Sequence, residues 1–332
     1  MNLIKRHFFA GWYVLTVLLP VILRTGKRPV IFSRFAGMGD IICTFPAALE
    51  LKKRHPGATS IYNCAAGSAC LPRLGGVTEC VTHFRDIGIV GHWYRWLLAN
   101  FYHFRYADEA GETASSEIMI REYGRPFGVE TSDAHPRLLI EADVQARVKS
   151  YLLRIGASLE NLILIHPGPS WPVRTWPHEK WLELLRALRS HGFTNIVQIG
   201  AGIQTYTNVG AEEFPRLPET RSLVDQLNVE ESVALIAQAR LFVGIDSGLL
   251  HFAACVPTTS VGIFGPTSPG LRFAPAFTQS FVTSRVECQG CHHRVPRLHW
   301  TTGCPHDIRC LKEISVAEVF RACLKNLPAA KN

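Results

Sequence analysis

Apolar and polar positions alternate along this chain in blocks typical of an α/β protein. Short, nearly continuous apolar runs favour buried strands, and longer segments with apolar residues every three to four positions favour helices. The apolar runs predict strands at 30–33, 138–140, 163–165, 196–199, 241–245 and 259–264. The periodic segments predict helices at 47–54, 143–155, 179–190 and 229–239. This alternation predicts parallel sheets joined by crossover helices.

The length and composition of the chain fit two domains of this kind. The chain has 332 residues, of which 47% are hydrophobic and 19% are charged. That content is ample for two hydrophobic cores of ordinary size. We place the domain boundary in the turn at 156–161, just before the first strand of the second domain.

One motif follows the predicted strand at 241–245. Asp246, Ser247 and Gly248 come directly after the strand, and His251 lies in the helical segment that follows. Small polar residues between a buried strand and a helix N-terminus are typical of anion sites, because unpaired N–H groups and the positive helix end point at the ligand. Alternatively, the residues form only a helix cap and a tight turn.

A second motif, RFAGMGD, follows the strand at 30–33. Gly37 and Gly39 allow the backbone to turn sharply, and Asp40 falls at the start of a helix. A carboxylate at such a junction is rigidly aimed, so Asp40 is a candidate general base. The alternative is that Asp40 only caps the helix.

A third motif, HPGPSWPVRTWPHEKW, follows the strand at 163–165. It contains Ser170, a small hydroxyl residue, and Arg174, whose planar guanidinium group suits phosphate oxygens. The alternative for Arg174 is a surface arginine packed on tryptophan.

Together the three motifs resemble glycosyltransferase family 9, the lipopolysaccharide heptosyltransferases and their relatives. The resemblance extends to VGIFGPTSP and to the cysteine-containing segment CQGC…GCPHDIRCLKEISVAEV, and it covers most of 29–320. It implies the GT-B fold: two Rossmann-like α/β domains that face each other across a cleft. On this basis we expect an acceptor domain at 29–156, a nucleotide-sugar domain at 157–310, and a C-terminal helix at 311–332 that returns to the first domain.

The resemblance also implies roles for individual residues. Asp40 matches the family's general base in an inverting transfer that needs no catalytic metal or other cofactor. Arg174 matches a basic residue that neutralises the leaving diphosphate. Ser170, Asp246, Ser247, Gly248 and His251 match donor-binding positions, and Gly37 and Gly39 match the glycine loop. The implied donor is a nucleotide sugar, ADP-heptose first, and the implied acceptor is a lipopolysaccharide-type or other cell-envelope glycan.

One departure from the family pattern leaves the donor open. Heptosyltransferases often carry an acidic residue after the strand at 196–199, whereas here Gly200 to Gln204 contain no carboxylate and the next one is Glu212. The alternatives are a family member with another nucleotide-sugar donor, an epimerase of the same fold, a non-catalytic scaffold, or a nucleic-acid-binding protein with a zinc knuckle. We expect no nucleic-acid partner, because that last reading leaves the aspartates at the strand ends unexplained.

The segment 1–28 differs from the rest of the chain, because 8–23 carries no charge and has basic residues on both sides. Sixteen helical residues reach about 24 Å, less than the roughly 30 Å of a hydrocarbon core. We therefore predict a segment that lies in the membrane surface, with a core helix of the first domain as the alternative. A net charge of +8 suits anionic lipid, and we expect a peripheral protein on the cytoplasmic face of the inner membrane.

The chain has ten cysteines, and four of them follow a metal-ligand pattern. Cys288, Cys291, Cys304 and Cys310 have the spacing C-x2-C-x12-C-x5-C within the loop 288–310 and its end. Four thiolates suit a structural zinc or iron ion held tetrahedrally. Two disulfides are the alternative, and a reducing cytoplasm disfavours them.

Overall fold

The computed structural model divides the chain into two compact units, which are described separately. It describes residues 3–85, 100–106, 116–132, 134–168, 170–206, 210–213, 216–218, 220–274, 280–294 and 303–327. The first unit comprises 1–106 and 119–139, and most of the second unit is 140–332.

The first unit contains a four-stranded parallel sheet. Its strands are β1 (Val30–Ser33), β2 (Ser60–Asn63), β3 (Cys80–Thr82) and β4 (Phe101–His103), in the order β3-β2-β1-β4. Strands β1 and β2 are buried along their whole length, as expected for a parallel sheet covered on both faces.

A helical segment, Leu3–Thr25, covers part of this sheet. It comprises α1 (Leu3–Tyr13), one π-helical stretch (Val14–Leu18) and α2 (Leu19–Thr25). Ala10, Tyr13, Val14 and Leu18 pack with the strand residues Ile31 and Ile61. The segment has the length and composition of a membrane-spanning helix, since its 23 residues extend about 35 Å. Thus it is longer than the sequence predicted, and one of its faces belongs to the core of the first unit.

The other helices of the first unit connect its strands. They are α3 (Met38–Cys43), α4 (Phe45–Lys53), α5 (Cys70–Leu74) and α6 (Met119–Gly124). Helix α3 follows β1 after a short loop, so the residues of the RFAGMGD motif stand at the carboxyl end of a central strand.

The second unit contains a six-stranded parallel sheet and a two-stranded antiparallel hairpin. The sheet consists of β5 (Ile163–His166), β6 (Ile196–Gln198), β9 (Arg221–Ser222), β10 (Leu241–Ile245), β11 (Thr259–Phe264) and β12 (Ser280–Thr283). Its strand order is β12-β11-β10-β5-β6-β9, and the hairpin is formed by β7 (Ile203–Tyr206) and β8 (Gly210–Glu213). Ligands of open parallel sheets bind outside the carboxyl ends of the strands, where the first and third motifs lie.

The helices of the second unit are longer and carry clear apolar stripes. They are α7 (Ala142–Arg154), α8 (His178–Ser190), α9 (Val229–Gln238), α10 (Gly248–Ala254), α11 (Pro269–Arg272), α12 (Arg309–Lys312) and α13 (Val316–Asn326). The α/β class with two parallel sheets is thereby confirmed.

One of these helices differs from the predicted domain organisation. Helix α7, which we placed before the boundary, belongs to the second unit, where Tyr151 and Arg147 on it contact Glu231 of α9. The apolar stripe of the C-terminal helix α13 packs into the core of the second unit through Val319 and Cys323, and its return to the first domain stays a prediction.

The predicted strands and helices mostly match within one or two residues. Strands β10 and β11 have the predicted bounds. The predicted strand at 138–140 is absent from the described part of the chain: the segment is extended, and Leu139 donates one backbone hydrogen bond to Leu74. A single bond of this kind does not build a ladder.

Candidate functional site

Asp40 stands in the first turn of α3, at the carboxyl end of β1. The helix begins at Met38 with Gly37 as its cap residue, and Asp40 makes no capping hydrogen bond to it within the described residues. Its carboxylate is about one quarter exposed, at 24%. The structure therefore disfavours a capping role and leaves the carboxylate accessible.

Two buried side chains hold one oxygen of this carboxylate. The Tyr123 hydroxyl donates to Asp40 Oδ1 at 3.3 Å, and Arg34 Nη2 lies 3.6 Å from the same oxygen. Arg34 also stacks on the Tyr123 ring and donates to the Phe104 carbonyl. A Cβ atom on Gly37 would lie 3.1 Å from Oδ2, so a glycine at this position leaves space beside that oxygen. As a result, Oδ1 is fixed and Oδ2 faces the glycine loop.

In the second unit, Asp246 organises the carboxyl ends of β5, β10 and β11. Its Oδ2 accepts a hydrogen bond from the Thr267 hydroxyl at 2.6 Å and lies 3.3 Å from Arg174 Nε. Ser170 donates to the Asp246 backbone carbonyl at 3.5 Å. Residues of the loops after β5, β10 and β11 thus converge on one aspartate.

The charge state of Asp246 follows from these neighbours. Burial alone raises the pKa of its carboxyl, but the positive charges of Arg174 and Arg272 and the Thr267 hydroxyl outweigh burial and lower the pKa to about 2. The carboxylate is therefore ionised at neutral pH. The buried Arg272 was missed in the sequence, since nothing there connects it with a residue 26 positions earlier.

The remaining predicted donor residues follow Asp246 at the carboxyl end of β10. The Ser247 hydroxyl is buried and has no hydrogen-bond partner within the described part of the chain. Gly248 begins α10, and His251 on this helix is buried and stacks on Phe273 with ring centroids 4.5 Å apart. An unsatisfied hydroxyl beside an ion pair is suited to bind a polar ligand.

A further carboxylate lies at the same edge of the sheet. Asp225 adopts a left-handed backbone conformation, with φ of 60°, and its Oδ1 accepts a hydrogen bond from the Gly202 N–H at 2.9 Å. The sequence shows no carboxylate in the loop after β6, but the fold brings one there from 23 positions later. Asp225 is thus a second candidate residue that the sequence did not reveal.

The loop after β6 is closely packed against β5. The His166 ring nitrogen Nδ1 donates to the Ile199 carbonyl, and burial lowers the pKa of His166 to about 4, so the ring is neutral. Gly200 has a φ of 121°, and a Cβ atom there would lie 2.6 Å from His166 Nδ1. Only glycine fits this position.

The four cysteines of the predicted metal site are free thiols. Burial and then Cys288, Cys291 and Cys304 raise the pKa of Cys310 to about 12. Burial and then Cys288 and Cys304 also raise the pKa of Cys291. The described part of the chain places no three of these sulfur atoms within 4.8 Å of one another, and residues 295–302 between them lie outside it. The donor set suits zinc or iron, which prefer thiolate ligands.

Comparison with known proteins agrees with the resemblance seen in the motifs. The model of glycosyltransferase family 9 (heptosyltransferase) matches residues 77–300. Lipooligosaccharide heptosyltransferase 2 of Haemophilus ducreyi is 32% identical over 162 residues, which cover 46% of this chain and 45% of that protein. The match therefore spans less than half the length of this relative.

Two solved structures share the fold. The iron-containing, dodecameric heptosyltransferase TibC of enterotoxigenic E. coli H10407, solved in complex with ADP-D-beta-D-heptose, aligns with a TM-score of 0.67 and 18% identity. The alignment covers 90% of this chain and 76% of TibC. ADP-heptose LPS heptosyltransferase II of E. coli aligns with a TM-score of 0.65 and 16% identity, over 90% of this chain and 98% of that chain.

Proposed function

The chain belongs to glycosyltransferase family 9, and on that premise we propose that it transfers heptose from ADP-heptose to a lipopolysaccharide-type or other cell-envelope glycan. The observation that carries this proposal is the polar cluster around Asp246, which joins an ion pair with Arg174 to the unsatisfied hydroxyl of Ser247. H. ducreyi heptosyltransferase 2 and TibC, which is solved with ADP-heptose, support the choice of donor.

The second unit binds the donor in this proposal. The Arg174 guanidinium group and the Ser247 hydroxyl contact the diphosphate, and Gly248 leaves room for it beside the first turn of α10. Asp246 is nearly closed off from solvent, so we assign it to hold Arg174 and Thr267 in place rather than to contact the sugar. Ser170 and His251 also line the donor site.

The first unit supplies the base. Asp40 Oδ2 takes the proton of the acceptor hydroxyl as that oxygen attacks the anomeric carbon. The bond to the diphosphate breaks on the opposite side, so the configuration inverts. Arg34 and Tyr123 hold Oδ1, so the carboxylate is already oriented and does not have to be fixed in place during proton transfer.

The leaving group needs positive charge nearby. The diphosphate gains negative charge as the bond breaks, and Arg174 stabilises that charge because it is already oriented by Asp246. Since Asp40 provides the base and Arg174 the positive charge, we assign no metal to the chemical step.

The nucleoside is assigned to Asp225. Carboxylates at the carboxyl ends of parallel strands bind ribose hydroxyls in nucleotide-binding sheets, and Asp225 is exposed at this edge. In this proposal, Asp225 takes the role of the acidic residue that the loop at 200–204 lacks.

Nucleotide binding tests this function directly. Purified full-length protein is titrated with ADP, UDP, GDP and CMP by calorimetry and thermal shift. ADP at about 100 times its Kd stabilises the protein by roughly 2.7 kcal/mol, which a thermal shift detects. We expect a selective response to ADP, followed by transfer from ADP-heptose to a glycan acceptor. A selective response to UDP would overturn the donor, and no response to any of the four would overturn the function.

Cys288, Cys291, Cys304 and Cys310 are proposed to hold a structural zinc or iron ion. The ion joins the loop after β12 to helix α12, and metal analysis of the purified protein tests this. TibC is described as iron-containing, and its fold is similar. Two disulfides in the purified protein would contradict the proposal.

The helical segment Leu3–Thr25 is proposed to bind the cytoplasmic face of the inner membrane. Its outer face exposes Phe8, Trp12, Leu15 and Leu23, each at least 60% exposed, while its opposite face packs on the sheet. This arrangement favours a helix that lies in the membrane surface over one that crosses it, because a crossing helix would lose its packing against the sheet.

Vesicle binding distinguishes these possibilities. We expect the protein to sediment with anionic phospholipid vesicles, and the variant Trp12→Ser/Leu15→Ser to sediment several-fold less. The control Leu153→Ser removes an equally exposed leucine from the second unit and should leave sedimentation unchanged. Equal binding by all three proteins would refute the assignment of this face.

A further inference from the structure

The last residue of β5 holds the loop that follows β6. His166 is buried, and its Nδ1 contacts the Ile199 carbonyl oxygen at 3.1 Å. A carbonyl oxygen can only accept a hydrogen bond, and a neutral imidazole carries one proton, so this proton is on Nδ1. The ring also lies against Gly200, where a Cβ atom would be 2.6 Å from Nδ1 and 2.8 Å from Cε1. His166 therefore contacts two successive residues of the loop 199–202.

Asp225 contacts the same loop through its backbone and its side chain. The Asp225 N–H donates to the Gly200 carbonyl at 2.9 Å, and Oδ1 accepts a hydrogen bond from the Gly202 N–H at 2.9 Å. A Cβ atom on Gly202 would lie 2.9 Å from Asp225 Oδ2, so a glycine allows the carboxylate to come this close. The loop 199–202 is thus hydrogen-bonded both to His166 and to Asp225.

The backbone conformation of Asp225 depends on contacts of this kind. Its φ of 60° is left-handed, which is unfavourable for a residue with a side chain. Such a conformation persists where the surrounding structure holds it, and the hydrogen bonds to Gly200 and Gly202 do so here. If the loop moved away from β5, the Asp225 carboxylate would move with it.

We infer that His166 is a positioning residue of the donor site, which holds the loop 199–202 where Asp225 can bind the ribose hydroxyls of a nucleoside diphosphate. Asp225 contacts the ligand, and His166 acts through the loop. The carboxyl end of β5 then serves both parts of the nucleotide, because the segment after His166 carries Arg174, which is assigned to the diphosphate. This inference rests on the proposed function, which assigns the ribose to Asp225.

Two ligands separate this role from a purely structural one. The Kd values for ADP and for dideoxy-ADP, which lacks both ribose hydroxyls, are measured by calorimetry for the full-length wild-type protein and for His166→Leu. Loss of one hydrogen bond corresponds to a change in affinity of about threefold to tenfold. We expect the Kd of His166→Leu to rise by that factor for ADP and to stay unchanged for dideoxy-ADP.

A conservative variant should restore the affinity for ADP. Asparagine carries an N–H donor on the same side-chain carbon as the histidine Nδ1, so His166→Asn can still donate to the Ile199 carbonyl. We expect its Kd for ADP to lie within about twofold of the wild-type value. Thr258→Val is the control, since it removes a buried hydrogen bond of the same kind, to the Ile236 carbonyl in α9. It should leave both Kd values unchanged, even where its Tm falls as far as that of His166→Leu.

Two further variants test the path from His166 to the ligand. Asp225→Ala should weaken ADP binding, and His166→Leu should add no further loss in the double variant, because His166 acts through Asp225. Gly200→Ala places a methyl group against the His166 ring and approaches the same contact from the loop. It should weaken binding of ADP but not of dideoxy-ADP, and it gives this result independently of whether His166→Leu folds.

The outcomes are distinct from those of the proposed function. If wild-type protein binds none of the nucleoside diphosphates, the proposed function is overturned and this inference falls with it. If wild-type protein binds ADP, and His166→Leu and Gly200→Ala bind it equally well, the inference alone is overturned. Equal losses for ADP and dideoxy-ADP, or simple addition of the effects of His166→Leu and Asp225→Ala, would also overturn it.

Discussion

Thr267→Val is the most informative substitution for the donor site, because it removes one hydroxyl and keeps the shape of the side chain. Thr267 is fully buried, and its hydroxyl donates to the ionised carboxylate of Asp246 at 2.6 Å. The variant leaves this carboxylate charged with one donor fewer. We expect the second unit to lose stability and the loop 265–267 to shift relative to the Arg174 side chain.

The magnitude follows from the pKa of Asp246. Its fall from 3.8 to about 2 corresponds to about 2 kcal/mol of stability at pH 7, shared among Arg174, Arg272 and Thr267. A hydrogen bond to a charged group contributes about 1.5–3 kcal/mol. We therefore expect Thr267→Val to lower the free energy of unfolding by about 1–2 kcal/mol at pH 7.

The pH dependence has a definite sign. Folding lowers the pKa of Asp246, so its contribution is complete above the ordinary pKa and is lost as the pH falls towards about 2. About half of it has gone at pH 3. The destabilisation caused by Thr267→Val should shrink accordingly between pH 7 and pH 3.

Urea unfolding at the two pH values, followed by tryptophan fluorescence, measures this difference. Thr258→Val is the matched control, since the Thr258 hydroxyl is also buried but donates to the Ile236 carbonyl, which does not titrate. In the control variant, the free energy of unfolding should fall by about 1 kcal/mol at both pH values. If Thr267→Val lost the same amount at pH 7 and pH 3, the hydroxyl would act through packing and the argument from charge would be refuted.

Three other predictions concern single residues. Asp40→Asn should lower kcat for glycosyl transfer by about 10²–10⁴-fold and leave the Kd for ADP unchanged; unchanged kcat would remove the proposed base. Tyr123→Phe keeps the ring under Arg34 but leaves Arg34 alone to hold Asp40 Oδ1, so kcat should fall about fivefold to tenfold with the KM for donor unchanged; a rise in KM with kcat intact would point to substrate binding instead. Gly200→Ala should lower the Tm by several degrees, because its Cβ would overlap the buried His166 ring and because its φ of 121° disfavours alanine. Gly67→Ala, with open space around its Cβ, should leave the Tm within a degree, and equal Tm values would show that the loop after β6 relaxes freely.

The sequence predicted most of the strands that are buried on both faces, although it missed β2, which is also buried along its whole length. Strands β10 and β11 are continuous apolar runs that end in polar or glycine residues, so their bounds are visible in the pattern. Strand β4 and strand β12 are short and half-buried, and the pattern gave no sign of them. Strand β4 pairs with β1, and β12 pairs with β11. These pairings cannot be seen from the sequence of each short segment alone.

The sequence predicted part of the candidate site but not what each of its residues contacts. Asp246 and Arg174 were found from motifs, whereas their pairing, 72 positions apart, needed the fold. Tyr123 lies 83 positions after Asp40, and no local pattern connects the two. Asp225 accepts a hydrogen bond from Gly202 because its backbone is left-handed, which the sequence does not predict. Local patterns show where polar groups meet strand ends, and long-range packing decides their partners.

The shared oxygen of Asp246 also decides how substitutions combine. The Thr267 hydroxyl and Arg174 Nε both contact Oδ2, so the two interactions are not independent. Residues that share one partner show interaction energies of about 0.5–3 kcal/mol in double-mutant cycles. The effect of substituting Thr267 and Arg174 together would therefore differ from the sum of the two single effects.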